Sequence, residues 1–420
     1  MKKQFSHVLF YTATTVLVAC SGTNSNGHEA SDSSKQTQDT SKLAPVETNP
    51  ANTTYKPAFA GQTRIAGVKT TTPYEGKVVA EGLKSPWAAA VLPDGRLLVS
   101  EKAGNFKIVD ASTGQISEAI NGLPKVDAQG QGGLLGLTLD PDFSNNRMVY
   151  WVFAEPASAG GNHTAVAKGK LSADEKSIEG ATVIYQALPS HDGKLHYGGR
   201  IIFDKNGNLI VSTGERSDAV TRPQAQDLSS ALGKIVRITK DGKAVAGNPF
   251  EGDSKARPEI LSYGHRNVQG IAIHPETGDL WNTEFGPRGG DELNLVQPGK
   301  NYGWPTITYG LEYSGKEIGN PPIQQKDGME QPVYYWDPVL SPSGMIFYTG
   351  SNVPEWKNNL FLGGLSSTHI ARLVIKDNKV VGEERLLAKE GQRFREVVQG
   401  KDGAIYALTD AGKLYKIDKK

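Results

Sequence analysis

One short pattern recurs along this chain and constrains its fold more than any other feature: a polar residue or proline, a glycine turn, then an alternating apolar strand. It is clearest at Leu92-Pro93-Asp94-Gly95-Arg96-Leu97-Leu98-Val99-Ser100 and at Phe203-Asp204-Lys205-Asn206-Gly207-Asn208-Leu209-Ile210-Val211-Ser212. It returns at His274-Pro275-Glu276-Thr277-Gly278-Asp279-Leu280-Trp281 and at Gly400-Lys401-Asp402-Gly403-Ala404-Ile405-Tyr406-Ala407-Leu408, with weaker copies beginning near Leu139-Asp140-Pro141 and Asn359-Leu360-Phe361. Asp-Gly, Asn-Gly and Thr-Gly pairs between β-rich runs are hairpin signals. No amphipathic helix longer than a few turns is evident. Units of this size cannot bury both faces of a small sheet alone, so they stack as propeller blades. Six copies predict an all-β, six-bladed β-propeller; a glycine-rich β-sandwich is the competing architecture.

Charge narrows the function. Lys plus Arg number 46 against 45 Asp plus Glu, a net charge of +1, and the basic residues are scattered, which argues against a nucleic-acid surface. The chain has 1 cysteine, Cys20. The folded part therefore has no disulfide and depends on its core and on any metal it binds. Lys2 and Lys3 precede an uncharged stretch, Val8 to Ala19, diluted by Thr12, Thr14 and Thr15. It is too short to span a bilayer, which takes about 20 apolar residues. Leu17-Val18-Ala19-Cys20 resembles the lipobox of bacterial lipoproteins; an ordinary signal peptide is the alternative. The resemblance implies a signal peptide over 1–19, removed before folding, and acylation of Cys20. Ser21 resembles the sorting preference for the outer membrane. The protein is thus expected to be exported and lipid-anchored, facing the periplasm, with no other hold on the membrane. Residues 20–55, rich in Ser, Thr, Asn, Gln and Asp, read as a flexible tether, leaving 56–420 for the propeller.

Propeller loops usually build the site, and four strings between strands stand out. Gln131-Gly132-Gly133-Leu134-Leu135-Gly136 lets backbone pass close to a ligand and offers the Gln131 amide. His196-Tyr197-Gly198-Gly199-Arg200 precedes a blade strand, and neutral imidazole is the commonest general base near neutral pH; His163, His191 and His265 compete for that role. Tyr263-Gly264-His265-Arg266-Asn267-Val268-Gln269-Gly270 sets a permanent cation and an amide on one loop, suited to an oxygen-rich anion. Glu284-Phe285-Gly286-Pro287-Arg288-Gly289-Gly290-Asp291-Glu292-Leu293-Asn294, followed by Gly299-Lys300-Asn301-Tyr302-Gly303-Trp304-Pro305, can offer carbonyls and carboxylates to calcium, which takes six to eight oxygens. Each string alone also has a structural explanation as a tight turn, a core histidine, an inter-blade ion pair or a solvated acidic turn.

Together, and with Gly391-Gln392-Arg393-Phe394-Arg395, these blocks strongly resemble the soluble pyrroloquinoline-quinone (PQQ)-dependent sugar dehydrogenases, in particular the aldose sugar dehydrogenase branch. The resemblance covers about Tyr74 to Ile417. It implies a six-bladed β-propeller, an aldose substrate oxidised at C1 to a lactone, PQQ, two Ca2+ ions (one catalytic, one structural) and a diffusible electron acceptor. It casts His196 as the base and Arg266 with Asn267 as the pair beside the quinone oxygens, Arg266 stabilising charge on the reduced cofactor. Gln131 and Tyr313 fall at cofactor-contacting positions, and Arg393, Phe394 and Arg395 in a loop that clamps its carboxylates. Gly286 and Pro287 match carbonyl ligands of the catalytic calcium, and Glu292 and Tyr302 match ligands of the structural one. In Gly363-Gly364-Leu365-Ser366, another cofactor segment, Ser366 stands where the family often has lysine. That departure bears on quinone affinity more than on chemistry. A calcium-dependent propeller lactonase and a non-catalytic sugar-binding propeller are the alternatives. The sequence shows no axial cluster of carboxylates and Asn for the first, and keeps the histidine and arginines that the second would have lost.

Overall fold

The computed structural model describes residues 43–420. Cys20 and the expected signal peptide lie outside the described residues. The described chain forms six antiparallel four-stranded sheets. Blades 1 to 5 follow in order over 86–116, 134–186, 198–263, 268–336 and 342–386. Blade 6 joins the first strand, Tyr74–Glu81, to the last three, with Tyr74–Glu81 pairing against Lys413–Lys419. Closing the ring with strands from both ends leaves no blade with a missing strand. Helix is confined to single turns such as Phe143–Asn146, and no helix of the described residues is long and apolar enough to cross a membrane.

All six turn copies fall at the same place, between the first and second strand of a blade. In blade 3, Asp204 Oδ1 accepts the N–H groups of Asn206 and Asn208 at 2.8 Å each, and Gly207 closes the turn at φ +77°, a left-handed conformation that costs glycine little. The strands it joins pair Ile202 with Ile210 and Phe203 with Leu209. Trp151, Trp281 and Trp356 fill wedges between sheets and are at most 1% exposed. Truncating such a side chain typically costs about 3–5 kcal/mol.

The six first strands of the blades contact one another in a ring around the axis. Each begins with a register break, at Pro86/Ala88, Leu134/Leu137, Gly198/Ile201, Val268/Gly270, Pro342/Met345 and Phe394/Glu396. Bulges bend a strand and re-aim its side chains. Here all six lie at one end of the ring, and Gln131, His196, Arg266, Asn267 and Arg393 sit immediately before or at them. The turn repeats therefore occupy one face and the chemistry the other.

The N-terminal segment departs from the expected tether. From residue 43 it packs against blades 4 and 5. Glu47 pairs with Arg385 at 2.6 Å, Asp337 accepts the N–H groups of Asn52 and Thr53 at 2.7 and 3.1 Å, and Thr70 Oγ1 donates to Glu384 at 2.6 Å. Polar composition does make such a segment unable to fold alone, but partners hundreds of residues away satisfy its groups. The flexible run cannot extend to residue 55.

Candidate active site

His196 is held from every side. Its backbone is left-handed at φ +47° and its side chain is buried. Its N–H donates to Gln131 Oε1 at 2.9 Å, and Nδ1 meets Glu215 Oε1 at 2.5 Å. Gly214 allows this approach, because a Cβ there would lie 2.1 Å from the His196 carbonyl oxygen. With the carboxylate accepting from Nδ1–H, Nε2 is the nitrogen free to take a proton, a tautomer assigned from the network. Burial and the nearby Arg266 cation push the imidazole down to about 4, against the opposing pull of Glu215. It is therefore neutral near pH 7, as a base must be.

Glu215 was not singled out in the sequence. It sits on the loop after the second strand of blade 3, 19 residues from His196, and its only signal is that such loops return to the same face. Arg216 beside it locks the loop: its guanidinium donates to the carbonyls of Leu195 and Gly193 at 3.0 and 2.6 Å and stacks 4.0 Å from the Tyr197 ring. The competing histidines sit elsewhere. His163 bonds Glu155 and Ser190, and His265 is wholly buried against Glu284 and Ser262. His191 lies 3.5 Å from Asp218.

Arg266 and Asn267 tie blade 3 to blade 4. Asn267 Oδ1 accepts the Gly198 N–H at 3.0 Å, and the Arg266 carbonyl accepts the Glu215 N–H at 3.0 Å. The Arg266 guanidinium donates to the Gly286 carbonyl at 2.7 Å and lies 5.1 Å from the Trp304 ring and 6.0 Å from that of Tyr313. Two buried donors, Arg266 Nε and Asn267 Nδ2, have no partner. Such orphans cost free energy unless a ligand meets them, and both suit quinone oxygens.

Gly286 and Pro287 line a cavity of about 340 Å³ with Tyr313, Ser341, Ser366 and Asn52. Asp291 shapes this loop by accepting the N–H groups of Gly286, Leu340 and Ser341 at 2.9, 2.7 and 2.7 Å; burial pushes its carboxyl up to about 6 despite those bonds. The Gly286 carbonyl already holds one cation, the Arg266 guanidinium, and a carbonyl has a second lone pair for another. Below it Glu284 and Glu292 pair across adjacent strands. Burial and then the Glu284 charge push Glu292 well above the carboxylate range. Asn294 donates to both carboxylates at 3.2 Å, while its own Oδ1 is buried without a partner. Two carboxyl groups that cannot both ionise unaided, beside an unsatisfied oxygen, are a donor set whose charged form a hard cation would stabilise. Among the described residues no three His, Cys, Asp or Glu side chains converge on one point, so a cation here would rest largely on carbonyls and amides. Tyr302 stacks on His265 at 4.8 Å and anchors its hydroxyl on the Leu295 carbonyl at 2.6 Å.

Arg395 and Arg393 fork onto Asp410 through Nε at 2.8 and 2.9 Å, and Arg395 Nη1 reaches Gln269 Oε1 at 3.0 Å. Burial alone would raise Asp410, but the two cations hold it below the usual range. The Phe394 ring between them is fully buried in blade 6, 5.6 Å from Tyr415, because strand alternation turns it inward, which leaves its main chain as the part that a cofactor could meet. Likewise Gly364 and Leu365 are buried, and of that segment only Ser366 reaches the cavity, where its Oγ accepts from Ser341 Oγ at 2.8 Å.

A six-bladed propeller with a buried histidine–carboxylate pair beside an arginine, at the end where the inner strands begin, defines a class: propeller enzymes that take a proton from a bound ligand. A sequence model described as glucose/sorbosone dehydrogenase matches residues 83–416, and the chain belongs to this family of soluble PQQ-dependent sugar dehydrogenases. It is similar to aldose sugar dehydrogenase YliI of Escherichia coli, 41% identical over 344 residues, covering 81% of this chain and 92% of that protein. The solved apo structure of the E. coli soluble aldose sugar dehydrogenase superposes with a TM-score of 0.78 at 40% identity, covering 83% of this chain and all of that one (100%). The PQQ-bound aldose sugar dehydrogenase of Streptomyces coelicolor gives 0.67 at 31% identity, covering 83% and 99%. The protein is an oxidoreductase.

Proposed function

We propose that this protein oxidises aldose sugars at C1 to lactones, with PQQ as the hydride acceptor and an external carrier taking the electrons onward. The observation that supports this most is the His196–Glu215 pair, its imidazole neutral and oriented, set in one bonded network with Arg266. His196 Nε2 takes the proton of the C1 hydroxyl as C1 gives up hydride. Glu215 keeps Nδ1 protonated and steadies the imidazolium that results, the orienting role a carboxylate plays behind a catalytic histidine. Bound quinone supplies the two-electron acceptor, and calcium on the Gly286 and Pro287 carbonyls would polarise it. Arg266 and Asn267 present their unpartnered donors to oxygens that gain negative charge, and such preorganised donors weigh most in the transition state. Gln131 fixes the base through its main chain rather than by reaching substrate. Arg393 and Arg395 hold carboxylates in the manner they now hold Asp410, and Tyr313 closes the mouth. Glu292 and the Tyr302 carbonyl would hold a second calcium, which would supply stability rather than chemistry. Upstream, Cys20 carries the lipid that keeps the domain at the outer membrane, facing the periplasm.

The test is reconstitution: purified protein, PQQ and Ca2+ are mixed with a panel of aldoses and an artificial electron-accepting dye. Sugar-dependent dye reduction that requires quinone supports the reading. Lactone opening without quinone points instead to a hydrolase, and sugar binding without turnover to a binding propeller.

A further inference from the structure

Residues 43–72 precede the matched family region, 83–416, yet this strap reaches the cavity beside Gly286 and Pro287 through Asn52. We propose that the strap forms one wall of the substrate site and that Asn52 is a specificity-determining contact for a sugar hydroxyl remote from the oxidised carbon. This rests on the dehydrogenase reading above.

Asn52 is fixed before any ligand arrives. Its N–H donates to Asp337 Oδ1 at 2.7 Å, and Thr53 donates to Oδ2 through N–H and Oγ1 at 3.1 and 2.9 Å. Arg64 braces the same corner on the carbonyls of Asp337 and Asn49 at 2.7 and 2.8 Å. The Asn52 Nδ2 group donates to the Pro338 carbonyl at 2.9 Å, which sets the orientation of the amide. The side-chain oxygen is thereby left as the free acceptor of a residue that is partly exposed and lines the cavity.

Its neighbours suit a carbohydrate. The cavity of about 340 Å³ lies within the range of small-ligand sites, about 300–1,000 Å³. Ser341 adds a hydroxyl, and Tyr313, 69% exposed, stands at the mouth between this rim and the Arg266 guanidinium. The lining comes from the strap and from blades 4 and 5, and none from blade 3, which carries the Glu215 that orients His196. Arg266 links the two places, its carbonyl accepting the Glu215 N–H and its guanidinium donating to the Gly286 carbonyl at the cavity wall, so a ligand whose C1 is at His196 would present its far end here. The choice between sugar and cofactor follows from polarity. The quinone carries carboxylates, which need donors, whereas the free group of Asn52 is an acceptor and sugar hydroxyls donate.

The experiment uses the full chain loaded with quinone and calcium, comparing Asn52→Ala and Asn52→Leu with the parent. Both variants keep the backbone anchor to Asp337. The expected result is a KM for aldoses raised about three- to tenfold, the usual worth of one neutral hydrogen bond, with kcat at saturation within about twofold. Quinone affinity by titration and melting temperature should stay at parental values. Across a series of deoxy-aldoses, the one lacking the hydroxyl that Asn52 accepts should show no further loss in the variants. Parental KM on every sugar overturns the proposal. So does a change in quinone affinity with KM unmoved, which would place the strap against the cofactor. A parent protein that oxidises no aldose defeats the dehydrogenase reading first, and this proposal falls with it.

Discussion

Replacing Glu215 by Gln tests the catalytic pair without removing its base. The amide is isosteric, so the loop fixed by Gly214 and Arg216 should keep its shape, but Gln can also donate to Nδ1 and stabilise the wrong tautomer. It also removes the charge that steadies the imidazolium. The carboxylate lies 2.5 Å from Nδ1 and is 1% exposed, so little solvent replaces it. In proteases whose histidine is oriented in the same way, the equivalent change costs about 10⁴ in turnover. Here a loss of about 10²–10⁴, or about 3–5 kcal/mol at 1.36 kcal/mol per decade, is expected in kcat, with KM for sugar little changed. The pH profile adds an independent sign. Because Glu215 raises the imidazole against burial and Arg266, its loss should move the acidic limb of kcat/KM, which reports the free enzyme, to lower pH while the plateau falls. Steady-state dye reduction over pH 3.5–8 measures both. Turnover within about threefold of the parent, with the acidic limb unmoved, would refute the pair's role.

Other outcomes follow from the same contacts. His196→Asn should leave quinone binding nearly intact and reduce turnover by about 10²–10⁴ or more. It should also flatten acid denaturation. The buried imidazole sits near 4 against 6.5 when unfolded, so the unfolded state binds the extra proton between those values. Stability is then full above about pH 6.5 and falls by about 3 kcal/mol as pH drops to 4, which urea melts at both pH values would read. Chelation should lower the parent's melting temperature and release the cofactor, since a ion bound only by the folded state stabilises it by mass action. Glu292→Gln, which weakens the structural site alone, should lower the starting melting temperature and leave a smaller further drop on chelation, that of the catalytic ion. Cys20→Ser should remove the protein from the membrane fraction or leave its precursor uncut, with dye reduction by the isolated domain unchanged.

The blade count was legible because the first hairpin of each blade is a local device: glycine turn and strand lie within about ten residues, and all six copies fell at equivalent positions. The site was legible wherever chemistry and glycine share one short string, as at His196-Tyr197-Gly198-Gly199 and Glu284-Phe285-Gly286-Pro287. What escaped is long-range. Glu215 and Asp410 orient the predicted groups from separate loops that the fold alone brings near. The strap reads as a tether because Glu47 and Arg385, 338 residues apart, are partners that composition cannot reveal. Phe394 shows the same limit from the other side, since its place inside the motif does not reveal that its ring fills the core of blade 6.

The measurement closest to the central claim is a single turnover. Oxidised, quinone-loaded protein is mixed with one aldose in the absence of dye, and the cofactor's absorbance is followed. The account predicts a single reduction phase that slows several-fold when the C1 hydrogen is deuterium and nearly vanishes in His196→Asn. Reduction that proceeds at the parental rate in that variant, or a quinone spectrum unchanged by every aldose, would contradict it.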